Sequence, residues 1–471
     1  MPARKSFLVR AAALLVAATV VVLCSEGAQP QPVPAPNPNP NPNPNPGVLP
    51  YYSNRTVGGI SINPTGMLDN PTVEALGELQ KLRAKALAPA AGELNRTVGL
   101  RKISLRKLEA AMQKCLDSGK DLPNEMKCLA GLQQIRYVFV YPEKHDIVLA
   151  GPGEGWKVDA KGNIVGVTTG RPVLMLDDLL VALRTARGPK PQDITCSIDP
   201  KPDGLTQLRE HVARLRTIGN PKQTAAGIER ALGRQQITFT GVPADTHFAR
   251  VLLAADYRMK RLAMNFDPAP IPGLPNFLEM LEVASHGMNN VLPRWWLAPE
   301  FRPLVRDADG LAWELRGATV KALTEDDFLT AAGQREHSGR SSPTAQKWAD
   351  NMTREYDRLA LAEPVFGELR NCAELAALAT LIVRENLTDK AGYTMPLLLS
   401  ASALKTAQLS VPKQVDSRAS LLKRDRNWII SVSGGVMIKL HTLLNNIETS
   451  EKLTPIRNEA ALGEHNDWWW N

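Results

Sequence analysis

Apolar and polar positions along this chain follow two periods, and the change from one to the other divides it. Between 135 and 169, "IRYVFVY", "DIVLAG", "GWKVDA" and "NIVGVTT" are short β-branched runs split by "PEKH", "PGE" and "AKG". That pattern predicts an antiparallel meander. "DITCSI" and "QITFTGVP" predict two more strands, and in the first of them Ile194, Cys196 and Ile198 alternate onto one face. Helical spacing marks 72–88, 104–117, 204–217 and 224–232, together with "MLDDLLVALRTA", whose acids sit in its first turn where they suit the helix dipole. The most regular helical stretch is "THFARVLLAADYRMKRLAMNF", 246–266. Asp245 or Thr246 can cap it, and Phe248, Val251, Leu252, Ala255, Met259, Leu262 and Phe266 recur at spacings of three and four, forming a core stripe.

The proline-rich "NFDPAPIPGLPNF" then predicts a boundary near residue 267. Beyond it, "WWLAP", "FRPLVR", "GLAWELRG" and "TVKAL" suggest a second small sheet, with "DADG" as a hairpin turn. Ser342 and Pro343 open a helix as cap and first residue, and Glu363 to Asn386 reads as another long one. The predicted class is α+β, an antiparallel meander with packed helices followed by a smaller mixed sheet and helix region. In chain order it comprises a helical region 51–134, an α+β body 135–266, a C-terminal α+β region 267–460 and a Trp-rich tail 461–471, "NDWWWN". "NRTVG" at 54–58 and 95–99 has no third copy, so no repeat architecture is expected.

The N-terminus carries Arg4, Lys5 and Arg10 ahead of "AAALLVAATVVVLC", an apolar run of secretory length that is short for a spanning helix. Ser25 and Gly27 suit cleavage before Ala28, which makes 1–27 a signal peptide. The expected location is secreted or periplasmic, and anchoring by the N-terminal segment is the alternative. Cys24 invites lipidation, but Leu23 is large for that signal. "QPQPVPAPNPNPNPNPNPG" within 28–50 predicts a semi-rigid extended tether, since alternating proline removes donors and holds its neighbours extended.

Composition changes this picture little until charge is counted. The chain has 471 residues, 44% of them hydrophobic, with 56 Lys and Arg against 48 Asp and Glu. Loss of 1–27 removes three bases and one acid and leaves +6. A mildly basic exported protein favours anionic envelope components or a protein partner. Nucleic acid is not expected, because no dense Lys/Arg run or aromatic–basic alternation is present. Four cysteines remain after the leader. Cys196 and Cys372 read as core thiols, while Cys115 and Cys128 flank the turn-rich "LDSGKDLPNEMK" and are the expected disulfide.

Candidate chemistry is sparse. Asp256, Arg258 and Lys260 interrupt the apolar run of 246–266, with Asp256 within about 40–60° of the stripe and Lys260 one turn on. They form either an ion pair on the shoulder of a core helix or the lining of a groove. "AGPGEGWKV" places Glu154 and Trp156 on a glycine-rich turn that matches neither phosphate-loop spacing. Ser-x-x-Lys occurs four times without its Lys-Thr-Gly companion, and "SVSGG" around Ser433 lacks the glycine of a nucleophile elbow. The seven histidines show no zinc spacing, and neither a metal nor a cofactor is implied.

"HFARVLLAADYRMKRLAM", "RPVLMLDDLLVAL", "DGLAWELRG", "WADNMTREYDRLA" and "PVFGELRNC" together resemble an uncharacterised exported-protein family of planctomycete-type bacteria. The resemblance covers most of the chain from about 135 onward. It implies secretion and one evolutionary unit, and it brings no activity or site residue. The sequence therefore leaves open whether this is an enzyme. A non-enzymatic binding or scaffolding protein of the envelope is the leading expectation. A hydrolase of an envelope polymer, with Asp256 or Glu154 as acid or base, is the alternative.

Overall fold

Alternation of apolar side chains favours sheets, and the described residues form two large ones and a two-stranded ribbon. The computed structural model describes residues 57–471 except 59, 64, 70–80, 82–84, 86, 189–192, 216–219, 284–290, 330–334, 338, 420–432, 444 and 462–468. The expected leader and tether, most of the helix at 72–88 and Trp468 lie outside the described residues.

Nine strands form the larger sheet, in spatial order Ser61–Ile62, Met67–Asp69, Gln414–Asp416, Arg234–Thr240, Ile194–Asp199, Ser433–Ile438, Val291–Phe301, Ala318–Leu329 and Arg335–His337. Six form the second, in the order Ile447–Thr449, Leu304–Arg306, Ala312–Glu314, Tyr137–Tyr141, Asp146–Gly153 and Val98–Ser104. Trp156–Val158 and Ile164–Gly166 pair separately. The class is α+β, and neither sheet closes into a barrel. The strands expected beyond residue 267 are shared between both sheets: Val291–Phe301 pairs with Ser433–Ile438 and Ala318–Leu329, while Ala312–Glu314 pairs with Tyr137–Tyr141 of the meander. The boundary near 267 therefore separates no two sheets. "DADG" does turn a hairpin, in which Asp307 Oδ1 accepts from the Leu311 and Ala312 amides.

Three helices, α1 (Leu176–Ala186), α2 (His247–Ala263) and α3 (Pro364–Arg384), pack on one another, and α2 also lies on the larger sheet. Ile194, Cys196 and Ile198 are buried on the α2 side, as their alternation predicts. On the opposite face the exposed hydroxyls of Thr195 and Thr240 meet at 2.6 Å and those of Ser197 and Thr238 at 2.7 Å. Helix α3 is buried on nearly every side because its sequence is apolar all round. Ser342 caps its helix as predicted, accepting from the Ala345 amide at 3.2 Å. The tail folds back on the second sheet: Trp469 and Trp470 are buried, and the Ser104 amide donates to the Trp469 carbonyl. Among the described residues no helix is long and apolar enough to cross a membrane.

The disulfide expected between Cys115 and Cys128 is not formed, and both thiols are free. The intervening segment makes its own helical turn, Asn124–Lys127, and delivers Cys128 into the apolar core, where burial pushes its thiol up to about 12. Cys115 stays half-buried at the core's edge. Cys196 and Cys372 are buried core thiols, as expected.

Glu374 is a buried carboxyl inside α3. It accepts from the Ile135 amide at 3.3 Å, and burial pushes its carboxyl up to about 7 against the pull of its backbone donors and of Arg370. The native state then holds a proton that the unfolded chain releases near pH 4.5. Stability from this group is full below about pH 4.5 and falls as pH rises through about 7, by about 3 kcal/mol. Urea midpoints of Glu374→Gln measured against the parent between pH 4 and 8 should lack this decline.

Candidate functional site

The 246–266 segment folds as its periodicity predicts, and its ends are fixed by local chemistry. Thr246 Oγ1 accepts from the Ala249 amide at 3.2 Å. At the other end Asn265 takes a left-handed conformation, φ 55°. The amides of Asn265 and Phe266 reach back to the Leu262 and Arg261 carbonyls. This double closure is the usual way to satisfy final carbonyls. It also swings Phe266 and Asp267 back beside Arg261.

The three charges singled out on α2 separate into two groups. Asp256 has no exposed surface, and its Oδ2 accepts from Lys260 Nζ at 2.7 Å. Its Oδ1 has no hydrogen-bond partner among the described residues. Burial raises the Asp256 pKa, with Lys260 pulling the other way. The predicted pair exists, but it lies inside the core wall and not on an exposed shoulder. Arg258 points elsewhere, bonding Asp267 and donating to Glu363 Oε1 at 2.9 Å. Arg261 chelates the same Asp267 at 2.7 and 2.8 Å, and Lys161 joins Glu363 at 2.8 Å. Helix α2 is thus tied to the turn that follows it and to the residue that starts α3.

Glu154 and Trp156 are distant in role from this group and are both buried. The Glu154 carboxylate accepts from Gln133 Nε2 at 2.8 Å, from the Thr168 and Thr169 amides at 2.9 Å each, and from the Thr169 hydroxyl. Burial works to raise its pKa, yet these donors overcome it and hold the group down to about 2. Such a carboxylate stays ionised and organises the 168–169 turn. Trp156 donates from Nε1 to the Ala88 carbonyl at 3.2 Å. The glycines of "AGPGEGWKV" serve close packing: a Cβ on Gly151 would lie 2.0 Å from the Gln134 carbonyl oxygen, and one on Gly155 2.1 Å from Asn95 Oδ1.

Two features escaped the sequence reading. Asp178, taken as a dipole-matched acid of α1, instead grips His247 Nδ1 at 2.9 and 3.0 Å and joins the first turns of α1 and α2. The other is Gln235. In "RQQITFT" it takes an inward position of the strand, in register with buried Ile237, and is 6% exposed. Its Oε1 has no hydrogen-bond partner among the described residues. A polar residue on the buried parity of an alternating strand was the available signal.

Gln235 lines a small cleft of about 50 Å³ between the sheet and the C-terminal turns of α2. Ile198 and Val415 also come from the sheet. The helix and its closing turn supply Tyr257, Lys260, Arg261, Met264 and Phe266, while Asp416 and Arg418 complete the wall. Lys260 is the one residue of the predicted trio that reaches this space. A second and wider groove borders α1 at Arg184 and the start of α2 at Thr246; Arg184 is committed there to the Leu398, Ser400 and Leu404 carbonyls. Among the described residues no three His, Cys, Asp or Glu side chains gather in a way that could hold a metal ion.

Residues 196–277 match a family model described as a protein of unknown function, DUF1598. The match takes in Gln235 and its strand, all of α2 with its closing turn, and most of the Ile194–Asp199 strand. Comparison with curated proteins and with solved structures gives no match in either.

Removing the Glu154 charge should cost roughly 2–3 kcal/mol at neutral pH, because several buried donors lose an ionised acceptor. The depressed pKa sets the window: the advantage of the parent over Glu154→Gln is full above about pH 4.5 and disappears as pH falls toward 2. Urea denaturation of both proteins at pH 7 and pH 2.5 measures this.

Proposed function

We propose that this is an exported protein of the cell envelope that works by binding and not by catalysis. The observation carrying that reading is the state of the two carboxylates a hydrolase would use. Asp256 has no exposed surface and is neutralised by Lys260. Glu154 is saturated with donors and held near a pKa of 2, out of range for an acid that must exchange a proton near neutrality. Two spaces are instead open to solvent, the wider groove between α1 and the start of α2 and the small cleft beside the end of α2, whose wall is mixed apolar and basic. Concave surfaces of that kind recognise ligands. The exported and envelope parts of the reading rest on the N-terminal sequence and the positive charge.

Thermal unfolding of the protein against metals, glycans, wall fragments, anionic polymers and small carboxylates tests it. A ligand at 100 times its dissociation constant should stabilise the native state by about 2.7 kcal/mol. Turnover of an envelope polymer that vanishes in a folded Asp256→Asn variant would contradict the reading and restore the hydrolase.

A further inference from the structure

We propose that Asn95 is an N-glycosylation site, the acceptor of a saccharide carried on a lipid pyrophosphate. The inference goes beyond binding and rests on the export part of that reading.

The pentapeptide that occurs twice contains Asn-Arg-Thr, and Asn-x-Thr is the acceptor triplet for N-linked sugars on exported chains. Such triplets with x other than proline stand at 54–56, 95–97, 351–353 and 386–388. A transferase must hold the asparagine amide and the hydroxyl two residues on at the same time. An extended chain turns both toward one side, because its side chains repeat every two residues. A helix sets them about 200° apart. Backbone geometry therefore sorts the triplets.

Asn351 and Thr353 lie inside helix Pro343–Arg354. The Asn351 amide is 9% exposed and occupied at both ends, donating to Met280 Sδ and accepting from Arg354 at 2.6 Å. Asn386 leads straight into helix Leu387–Ala391, which contains Thr388 and buries Leu387. Asn54 lies outside the described residues. Asn95 differs on each count. It ends the short turn Gly92–Asn95, Arg96 is extended at φ −76° and ψ 132°, and a strand begins at Val98. Asn95, Arg96 and Thr97 are all exposed. The Asn95 amide nitrogen makes no hydrogen bond among the described residues. The Thr97 hydroxyl makes long contacts, 3.3 Å to Thr168 and 3.4 Å to Glu154, which a better partner displaces easily.

Sequence context converges on the same residue. Glu93 stands two residues ahead of Asn95 with its side chain 78% exposed, whereas Tyr52, Ala349 and Arg384 hold that position in the other triplets. An acid there completes the longer acceptor that bacterial transferases read. In the transfer, Asn95 Nδ2 bonds the anomeric carbon as that carbon's bond to the pyrophosphate oxygen breaks. The lipid pyrophosphate leaves, and the amide gives one proton to a base of the transferase.

Peptide mapping by mass spectrometry of the protein purified from the cells that make it tests this. The expected result is a chain cleaved after its leader, with an oligosaccharide that fragmentation places on Asn95 and with Asn351 and Asn386 bare. Asn95→Gln and Thr97→Ala should lose the sugar and Thr97→Ser should keep it, a pattern that a change in folding would not reproduce. Glu93→Gln should lose most of it. A cleaved chain with Asn95 bare would overturn the proposal and leave export standing. An uncleaved, unmodified chain recovered from the cytoplasm would overturn both. A sugar on Asn351 or Asn386 in place of Asn95 would contradict the geometric selection and sink the assignment.

Discussion

A carboxylate with no exposed surface is the constraint around which this region is built. Moving an ionised Asp and a Lys out of water costs several kcal/mol for each ion, and only close mutual contact offsets it. Asp256 and Lys260 meet that requirement across one helical turn at 2.7 Å. The helix must stay wound through 256–260 for the pair to exist, so the segment cannot unwind or slide over the sheet. The pair also fixes the Lys260 head at the wall of the cleft, 15% exposed. A core requirement thereby delivers a positioned cation to an open surface, on a rigid element instead of a loop.

The second charge group extends the same logic to the end of α2. Asp267 can be chelated by Arg261 because Asn265 reverses the chain. Arg258 then links Asp267 to Glu363, which Lys161 also holds. These groups are part-buried and networked, the situation in which ion pairs contribute more than isolated surface pairs do. They join the closing turn of α2, the start of α3 and the small two-stranded ribbon around residue 161. The helical side of the cleft is fixed for that reason.

Much of the local structure was legible because it depends on neighbours in sequence. The inward parity of Ile194, Cys196 and Ile198, the caps at Thr246 and Ser342, and the 307–310 hairpin are each set within a few residues. What failed was non-local. Proline-rich sequence at 267 looked like a divide, but the strands after it find partners on both sides of it, since strand pairing depends on buried faces far apart in the chain. Cys115 and Cys128 lie close in sequence, yet the turn between them places one thiol in the core and leaves the other at its edge. Asp178 and His247 meet across 69 residues. Of the proposed site, Lys260 was read correctly as a partner of Asp256. Gln235 was missed because inward parity becomes meaningful only once its neighbours are known to be buried.

The most direct measurement is a double-mutant cycle on that pair, with urea unfolding of the parent, Asp256→Asn, Lys260→Met and the double variant. A buried structural pair predicts that each single change destabilises by roughly 3–5 kcal/mol, because it strands one charge, and that the double variant recovers much of the loss. Additive losses, or an Asp256→Asn protein as stable as the parent, would contradict the account and return Asp256 to the candidates for chemistry.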